Sequence, residues 1–263
     1  MTELLAPAKI NLALVVGPTR PDGRHEVATV LQRISLADRI ALEPGDEFHV
    51  EGFAEDTLVR RALEELAAAT GTAPGWRVTI EKQIPVAAGL GGGSSDAAAA
   101  LRLANWTLRR PQSDRALHEL AVGLGADVPF FLTSGPQLGE GDGTVLSPLE
   151  VPQDYWILLL LPHGERKAST GAVYDSFRGE EGFGERRAAL LRALALGDLT
   201  TLPPNDLASS PLAAELRAHG AFRADVSGAG PAVYGLFAEQ DQALGAHAAL
   251  SGEGRCWVAA PAW

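Results

Sequence analysis

Four glycines fall within five positions at Gly89-Leu90-Gly91-Gly92-Gly93 of this 263-residue chain. They separate two segments of opposite periodicity. Upstream, Trp76-Arg77-Val78-Thr79-Ile80-Glu81 alternates apolar and polar residues and predicts a half-buried strand. Downstream, Ser94-Ser95-Asp96 leads into four alanines at 97–100, and alanine is the best helix former. The chain must pass from strand to helix through a loop that ends in these glycines, where left-handed backbone is open to it and a ligand can lie against the main chain. The helix start adds unpaired N–H donors and the positive end of its dipole, so the segment suits an anion. Ser94 and Ser95 can donate to phosphate or bind a cation, and Asp96, read as part of the first helical turn, suits the dipole. The competing reading is a flexible loop with a Ser/Asp helix cap. Spacing excludes two other glycine motifs. No lysine follows Gly93 as a P-loop requires, and G-x-G-x-x-G fails because its last position falls on Ser94 or Asp96.

Elsewhere the strands come in runs, mostly before the helices. Strands are predicted over 5–16, 25–34, 39–43 and near 48–51, with turns at Gly17-Pro18, Pro21-Asp22-Gly23 and Pro44-Gly45-Asp46. Asp56 is a candidate cap for a helix through Leu58, Ala62, Leu63 and Leu66 that stops at Gly71. Helices are predicted over about 95–108 and 113–123, then near 169–177, 185–196, 211–219 and 239–250. Strands at 156–161, 222–227, 232–237 and 255–259 complete the pattern, which predicts an α+β fold rather than a doubly wound parallel sheet. The texture changes near 145–153, where Val151-Pro152-Gln153-Asp154 reads as a connector. One domain is expected over 1–150 and a second over 151–263.

The formal net charge of -11 and pI near 5.0 repel nucleic acid and anionic membranes. Any anionic substrate must be met by local donors. Cys256 is the only cysteine, which excludes an intrachain disulfide and reads as a packing residue. Glu3 and Lys9 interrupt the first segment in a way unlike a signal peptide, and the longest aliphatic run, 157–161, is too short to cross a bilayer. A cytoplasmic protein is expected; its oligomeric state is not legible.

Pro85-Val86-Ala87-Ala88-Gly89-Leu90-Gly91-Gly92-Gly93-Ser94-Ser95 resembles the phosphate-binding motif of the galactokinase, homoserine kinase, mevalonate kinase and phosphomevalonate kinase (GHMP) superfamily. Pro7-Ala8-Lys9-Ile10-Asn11-Leu12 is similar to its first motif and Ser227-Gly228-Ala229-Gly230-Pro231 to its third, in the same order. The resemblance implies two α+β domains, the first like domain 2 of ribosomal protein S5 and the second ferredoxin-like, with the active site between them. It also implies that the phosphates of ATP lie on the 85–95 loop. Mg²⁺ bridging those phosphates follows from the chemistry and would arrive with ATP, since the chain has no metal-ligand motif of the H-E-x-x-H kind.

Phosphoryl transfer also needs a group to take the acceptor's proton. In Gly125-Ala126-Asp127-Val128-Pro129, Pro129 biases Val128 away from helix and places Asp127 at a helix exit. An aspartate there is either a turn former or a base, and the resemblance implies the catalytic base. Lys9 is one of three lysines, with Lys82 and Lys167, and lies at the mouth of an apolar strand. It either snorkels or is paired. As the family's lysine it stabilises the Asp127 carboxylate and the nucleophilic oxygen.

Asp22-Gly23-Arg24-His25-Glu26 is similar to the D-G-Y-H segment of a branch whose acceptor is a diphosphocytidyl polyol. That similarity implies that His25 reads the cytosine edge, with Arg24 in place of a stacking tyrosine. Tyr174 is then a second stacking aromatic or a packing residue, and Asn11 a polyol contact or a strand-edge hydrogen-bonding group. Gly228 and Gly230 either make a tight turn or close over phosphates or substrate. The segment 139–143 lines the nucleotide cleft or is an ordinary hairpin. The expected activity is ATP-dependent phosphorylation of a hydroxyl on that acceptor. A mevalonate or homoserine kinase is disfavoured by D-G-x-H and by Gly-Ala-Asp-Val-Pro. A non-catalytic nucleotide-binding regulator is disfavoured by the presence of both Lys9 and Asp127.

Overall fold

The computed structural model describes residues 1–53, 58–73, 75–164, 170–179 and 181–263. The cap expected at Asp56, and Lys167, lie outside the described residues. From the N-terminus the elements are β1 (Thr2–Thr19), β2 (His25–Pro44), β3 (His49–Glu51), α1 (Leu58–Thr70), β4 (Trp76–Glu81), α2 (Gly92–Thr107), α3 (Asp114–Leu124) and α4 (Val128–Leu132). There follow β5 (Gln137–Gly141), β6 (Val145–Pro148), β7 (Trp156–Pro162), α5 (Thr170–Ser176), α6 (Phe183–Leu196) and a 3-10 turn at Leu199–Thr201. The chain ends with α7 (Leu212–Ala218), β8 (Arg223–Val226), β9 (Val233–Phe237), α8 (Gln240–Leu250), β10 (Gly254–Ala259) and β11 (Pro261–Ala262). Two compact units share them. One holds Met1–Ala8, Leu36–Val86 and Gly91–Ser134; the other holds Lys9–Ser35, Ala87–Leu90 and Gly135–Trp263.

In the first unit, residues 39–44 of β2 pair antiparallel with β4, Ile40 opposite Ile80 and Leu42 opposite Val78, while β3 runs parallel to β4. The alternation read in β4 holds: Trp76, Val78 and Ile80 are buried, Arg77 and Glu81 exposed. α1 buries Val59, Ala62, Leu63 and Leu66, one helical stripe, and packs on α2. The alanines of α2 are buried there, and their small side chains let two helix backbones approach closely.

Two expectations about this unit are corrected. α2 begins at Gly92, about three residues early, because Gly91 takes the left-handed cap conformation (φ 70°) and Gly92 and Gly93 continue as helix. Asp96 therefore falls in the second turn, buried, and does not serve the dipole. Asp127 stands at the start of a helix rather than only at the exit of one. Pro129 lies in the first turn of α4, where a missing N–H costs no intrahelical bond, so Val128 is helical after all.

In the second unit, the turn after β1 is closed by Arg20 N donating to Arg24 O at 2.7 Å, with Gly23 at φ 82°. β2 is one strand where two were expected. Its residues 27–31 pair with β5, Val27 opposite Gly141 and Leu31 opposite Gln137. β5 and β6 form a hairpin turned by Gly141 and Gly143, both at positive φ, so 139–143 is a hairpin in its backbone. β7 to β10 form a four-stranded antiparallel sheet in the order β10-β7-β9-β8, the ferredoxin-like arrangement. α7 and α8 cover it, burying Leu158, Leu216, Val233, Phe237 and Leu250, with Cys256 partly buried against the same cluster. The α+β expectation is borne out.

Candidate active site

Each glycine-bearing segment is held by main-chain contacts that explain its composition. Gly89 has φ 83°, and a β-carbon there would collide with the Ser227 carbonyl and stand 3.0 Å from that of Gly230. Ala88 O accepts from Ala232 N at 3.0 Å, and Ser227 Oγ donates to Gly89 O at 3.0 Å. Leu90 O accepts from Lys9 N at 2.9 Å. The three motifs picked out in the sequence thus converge on one another around residues 87–90. Ala87 itself is left-handed (φ 57°), a strained state for a residue with a β-carbon and of the kind that collects at functional sites.

Lys9 is buried, and its Nζ donates to Asn11 Oδ1 at 2.6 Å. The Asn11 amide is oriented by its other end, since Nδ2 donates to Thr29 Oγ1 at 2.8 Å and that hydroxyl donates to Ala13 O at 2.7 Å. Asn11 N is bonded to Ser227 Oγ at 3.3 Å. Gly228, at φ 57°, closes against the pair: a β-carbon there would lie 3.2 Å from Asn11 Oδ1 and 3.4 Å from Lys9 Nζ. Gly230 N closes the turn onto Ser227 O at 2.9 Å. Between snorkelling and pairing, Lys9 is paired.

At the start of α2, Ser95 N bonds to Gly91 O at 2.9 Å, which leaves the N–H groups of Gly92, Gly93 and Ser94 without intrahelical acceptors. Ser95 Oγ and Asp96 Oδ1 are buried without a hydrogen-bond partner, an uncommon arrangement in native structures. Beneath this turn, Lys82 Nζ donates to Asp96 Oδ2 at 2.7 Å and to Asp38 Oδ2. Asp38 Oδ1 accepts the N–H groups of Gln83 (2.5 Å) and Ile84 (2.8 Å), which ties the end of β4 to the same cluster. Burial pushes the Asp96 carboxyl up to about 7 against the pull of Lys82, and the Asp38 charge adds to the rise. Burial also opposes the charge on Lys82, yet the two carboxylates hold its pKa above the ordinary lysine value. Asp127 is the N-cap residue of α4; its carboxylate accepts no capping hydrogen bond from the first turn, and it is half-buried.

His25 Nδ1 lies 2.9 Å from Gly17 O. A carbonyl only accepts, so Nδ1 carries the proton and Nε2 of the neutral ring is left as an acceptor. The ring stands 5.8 Å from that of Tyr174 and 6.0 Å from that of Phe177. Both aromatics pack on Leu14, Val16 and Val27, so Tyr174 packs and borders His25 at once. Arg24 is not brought to this cluster. Its guanidinium is ion-paired with Asp142 in the β5–β6 turn, where Thr144 also donates. Partial burial works against the Asp142 charge, but Thr144 and Arg24 hold its carboxyl below the usual range. Sequence reasoning missed Phe177, Thr29, the Ser227 hydroxyl and the Lys82 cluster. Only Phe177 left a signal, three residues after Tyr174.

Residues 57–135 match the GHMP kinases N terminal domain and residues 190–256 the GHMP kinases C terminal domain, together more than half of the chain. The chain belongs to the GHMP kinases. This is a family of ATP-dependent small-molecule kinases. Within it the chain is 37% identical to the 4-diphosphocytidyl-2-C-methyl-D-erythritol kinase of Geobacter metallireducens, over 98% of this chain and 96% of that one. It is 40% identical to the protein of the same name from Pelotomaculum thermopropionicum, over 91% and 90%. A crystal structure of 4-(cytidine 5'-diphospho)-2C-methyl-D-erythritol kinase superposes with a TM-score of 0.84 at 35% identity, covering all of both chains. No helix among the described residues is long and apolar enough to cross a membrane.

Proposed function

We propose that this GHMP kinase transfers the γ-phosphoryl group of ATP to the 2-hydroxyl of 4-diphosphocytidyl-2-C-methyl-D-erythritol, a step of isoprenoid precursor synthesis that does not use mevalonate. The relatives' names support the substrate. The observation that carries the reading within this chain is the His25 ring. With Nδ1–H committed to Gly17 O, Nε2 accepts, which suits the exocyclic amine of cytosine and not the carbonyl that uracil carries at the same place. Tyr174 and Phe177 offer ring faces beside it for a base.

In the transfer, the acceptor O–H bond breaks and its proton passes to the Asp127 carboxylate. The freed oxygen bonds to the γ-phosphorus, and the bond to the β–γ bridging oxygen breaks to release ADP. Lys9 supplies positive charge to the developing alkoxide, with Asn11 fixing its ammonium and facing the polyol. The phosphates lie along 85–95, from Pro85, Val86, Ala87 and Ala88 to the first-turn N–H groups of α2, with Ser94 and Ser95 donating. Gly228 and Gly230 shape the wall beside Lys9. Residues 1–150 thus carry the nucleotide and the catalytic groups, and residues 151–263 complete the acceptor side.

Mg²⁺ fits this donor set, because Ser95 Oγ is a hard, buried oxygen without a partner at the phosphate end of α2. Bound with ATP, the ion supplies charge neutralisation on the phosphate oxygens. The test is a coupled ADP-release assay with 4-diphosphocytidyl-2-C-methyl-D-erythritol, its uridine counterpart, mevalonate and homoserine. The cytidine compound should be preferred over the uridine one by about 10- to 100-fold, as expected where one buried polar group is left unpaired. Equal turnover of both would remove His25 from base recognition, and turnover of mevalonate or homoserine alone would overturn the substrate.

A further inference from the structure

We infer that Asn205 is a positioning residue for the Lys9–Asn11 pair, an inference that rests on the role proposed for Lys9. Asn205 lies in the loop after the 3-10 turn, far in sequence from every motif described above, and is nearly buried. Its carboxamide is fully engaged. Nδ2 donates to Gly228 O at 2.6 Å and to Val226 O at 2.9 Å, and Oδ1 accepts from Leu207 N at 2.8 Å. Its backbone N donates to Asp225 Oδ2 at 2.9 Å. A single side chain therefore holds the two carbonyls on either side of Ser227, in the turn that closes on Lys9.

Two features separate this from ordinary loop anchoring. The first is what Gly228 touches. Its α-carbon is so placed that an added methyl would lie nearest Asn11 Oδ1 and Lys9 Nζ, then Gly89 O, and the residue is left-handed, a conformation held by the donor that bonds its carbonyl. Asn205 is that partner. The second is the next residue. Asp206 N donates to Leu14 O at 2.9 Å, and its Oδ2 accepts from Val16 N at 2.9 Å and from Arg186 Nε at 3.0 Å. Arg186 Nη2 in turn donates to Val16 O at 3.0 Å. The dipeptide grips β1, the strand that carries Lys9 and Asn11, with one residue and the turn facing them with the other. It sets the distance between the ammonium and its wall.

The test uses the full chain with ¹³Cε-labelled lysine, which gives few signals because the chain has three lysines. Asn205→Ala removes the carboxamide; Asn205→Asp keeps its shape and the acceptor for Leu207 but loses both donors. In either variant, folded by circular dichroism, the Lys9 resonance should move while that of Lys82 stays. The kcat should fall by about 10- to 100-fold, the scale of a misplacement near 1 Å, with KM for ATP within about twofold. In a Lys9→Met background, Asn205→Ala should add no further loss of kcat, whereas a residue acting only on stability would add its full effect. A folded variant with an unmoved Lys9 signal, or with wild-type kcat, overturns the inference. Failure of both variants to fold assigns Asn205 to stability alone and overturns it too. If the wild-type chain does not phosphorylate the acceptor, the proposed substrate falls, and the Lys9 signal still decides the role of Asn205.

Discussion

Replacing Gly93 by alanine separates what the glycine loop does for the fold from what it does for a ligand. Gly93 is exposed in the first turn of α2, its φ is not positive, and nothing stands within 4 Å of where a β-carbon would be. For the protein alone the change removes backbone entropy from the unfolded chain at no steric cost, so stability should rise by about 0.5–1 kcal/mol. If phosphate oxygens rest on this turn, the methyl occupies the space they need and forces them off at least one N–H. A hydrogen bond to a charged group contributes about 1.5–3 kcal/mol, so affinity for ATP should drop by roughly 10- to 100-fold. Urea denaturation gives the first quantity, and calorimetry with a non-hydrolysable ATP analogue and Mg²⁺ the second. Gly89→Ala is the contrasting control, because it must clash with the Ser227 carbonyl and adopt φ 83°; it should lose stability before any ligand is added. A Gly93→Ala protein that is more stable and binds nucleotide as tightly as the wild type would refute the assignment of the α2 start to phosphate.

Asp127→Asn keeps size and loses the proton acceptor, so turnover should fall by about 10²–10⁴-fold with ATP binding nearly unchanged; unaltered turnover would remove it from the mechanism. His25→Ala should weaken the diphosphocytidyl substrate by roughly 1–3 kcal/mol in a direct titration. Arg24→Ala should weaken it less, since the guanidinium is committed to Asp142, and a larger loss at Arg24 than at His25 would reverse the two roles. Asp96→Asn tests the buried cluster in the nucleotide-free protein. The folded state holds the Asp96 proton up to about pH 7 and the unfolded chain releases it near 3.8, so wild-type stability should fall as pH rises between those values. The variant cannot ionise, and its advantage should widen by about 2–4 kcal/mol from pH 4 to pH 8; a constant gap in urea melts would show that Asp96 is ionised throughout.

The sequence disclosed elements wherever one periodicity governed a segment. β4 could be read to the residue because its alternation is unbroken, and α3 and α8 to within one residue at each end. The first turn of α2 was hidden because glycine carries no helical signal of its own; the helix there follows from the left-handed cap at Gly91. α4 is hidden because proline breaks a helix interior yet is tolerated in a first turn, and nothing in the local sequence tells the two positions apart. Motif residues were legible as types at fixed spacing: Lys9 and Asn11, two apart on a strand, share one face, as the period of two requires. Partners brought in from afar were not legible. Asp38 meets Lys82 across 44 residues and Asn205 meets Gly228 across 23, and neither pair is marked by anything local.

The charge of the chain and the geometry of the loop bear on one another. A protein of net charge -11 that binds a polyanion must meet the phosphate charge locally. Lys82 lies directly under the glycine turn, 3.3 Å from where a Gly92 β-carbon would stand, and is the obvious cation for the purpose. It is not free to serve, because two buried carboxylates share its ammonium. A cation committed in this way does more for the shape of the turn than for its potential, since its charge is cancelled within hydrogen-bond distance. On the reading proposed above, the attraction for phosphate falls to groups that carry no net charge: the open N–H groups of the first turn, the dipole of a 16-residue helix and the hydroxyls of Ser94 and Ser95. Main-chain donors of this kind need a backbone that can be approached closely and held rigidly. The glycines of the loop provide the approach, and Lys82, tying the end of β4 to the second turn of α2, provides the rigidity.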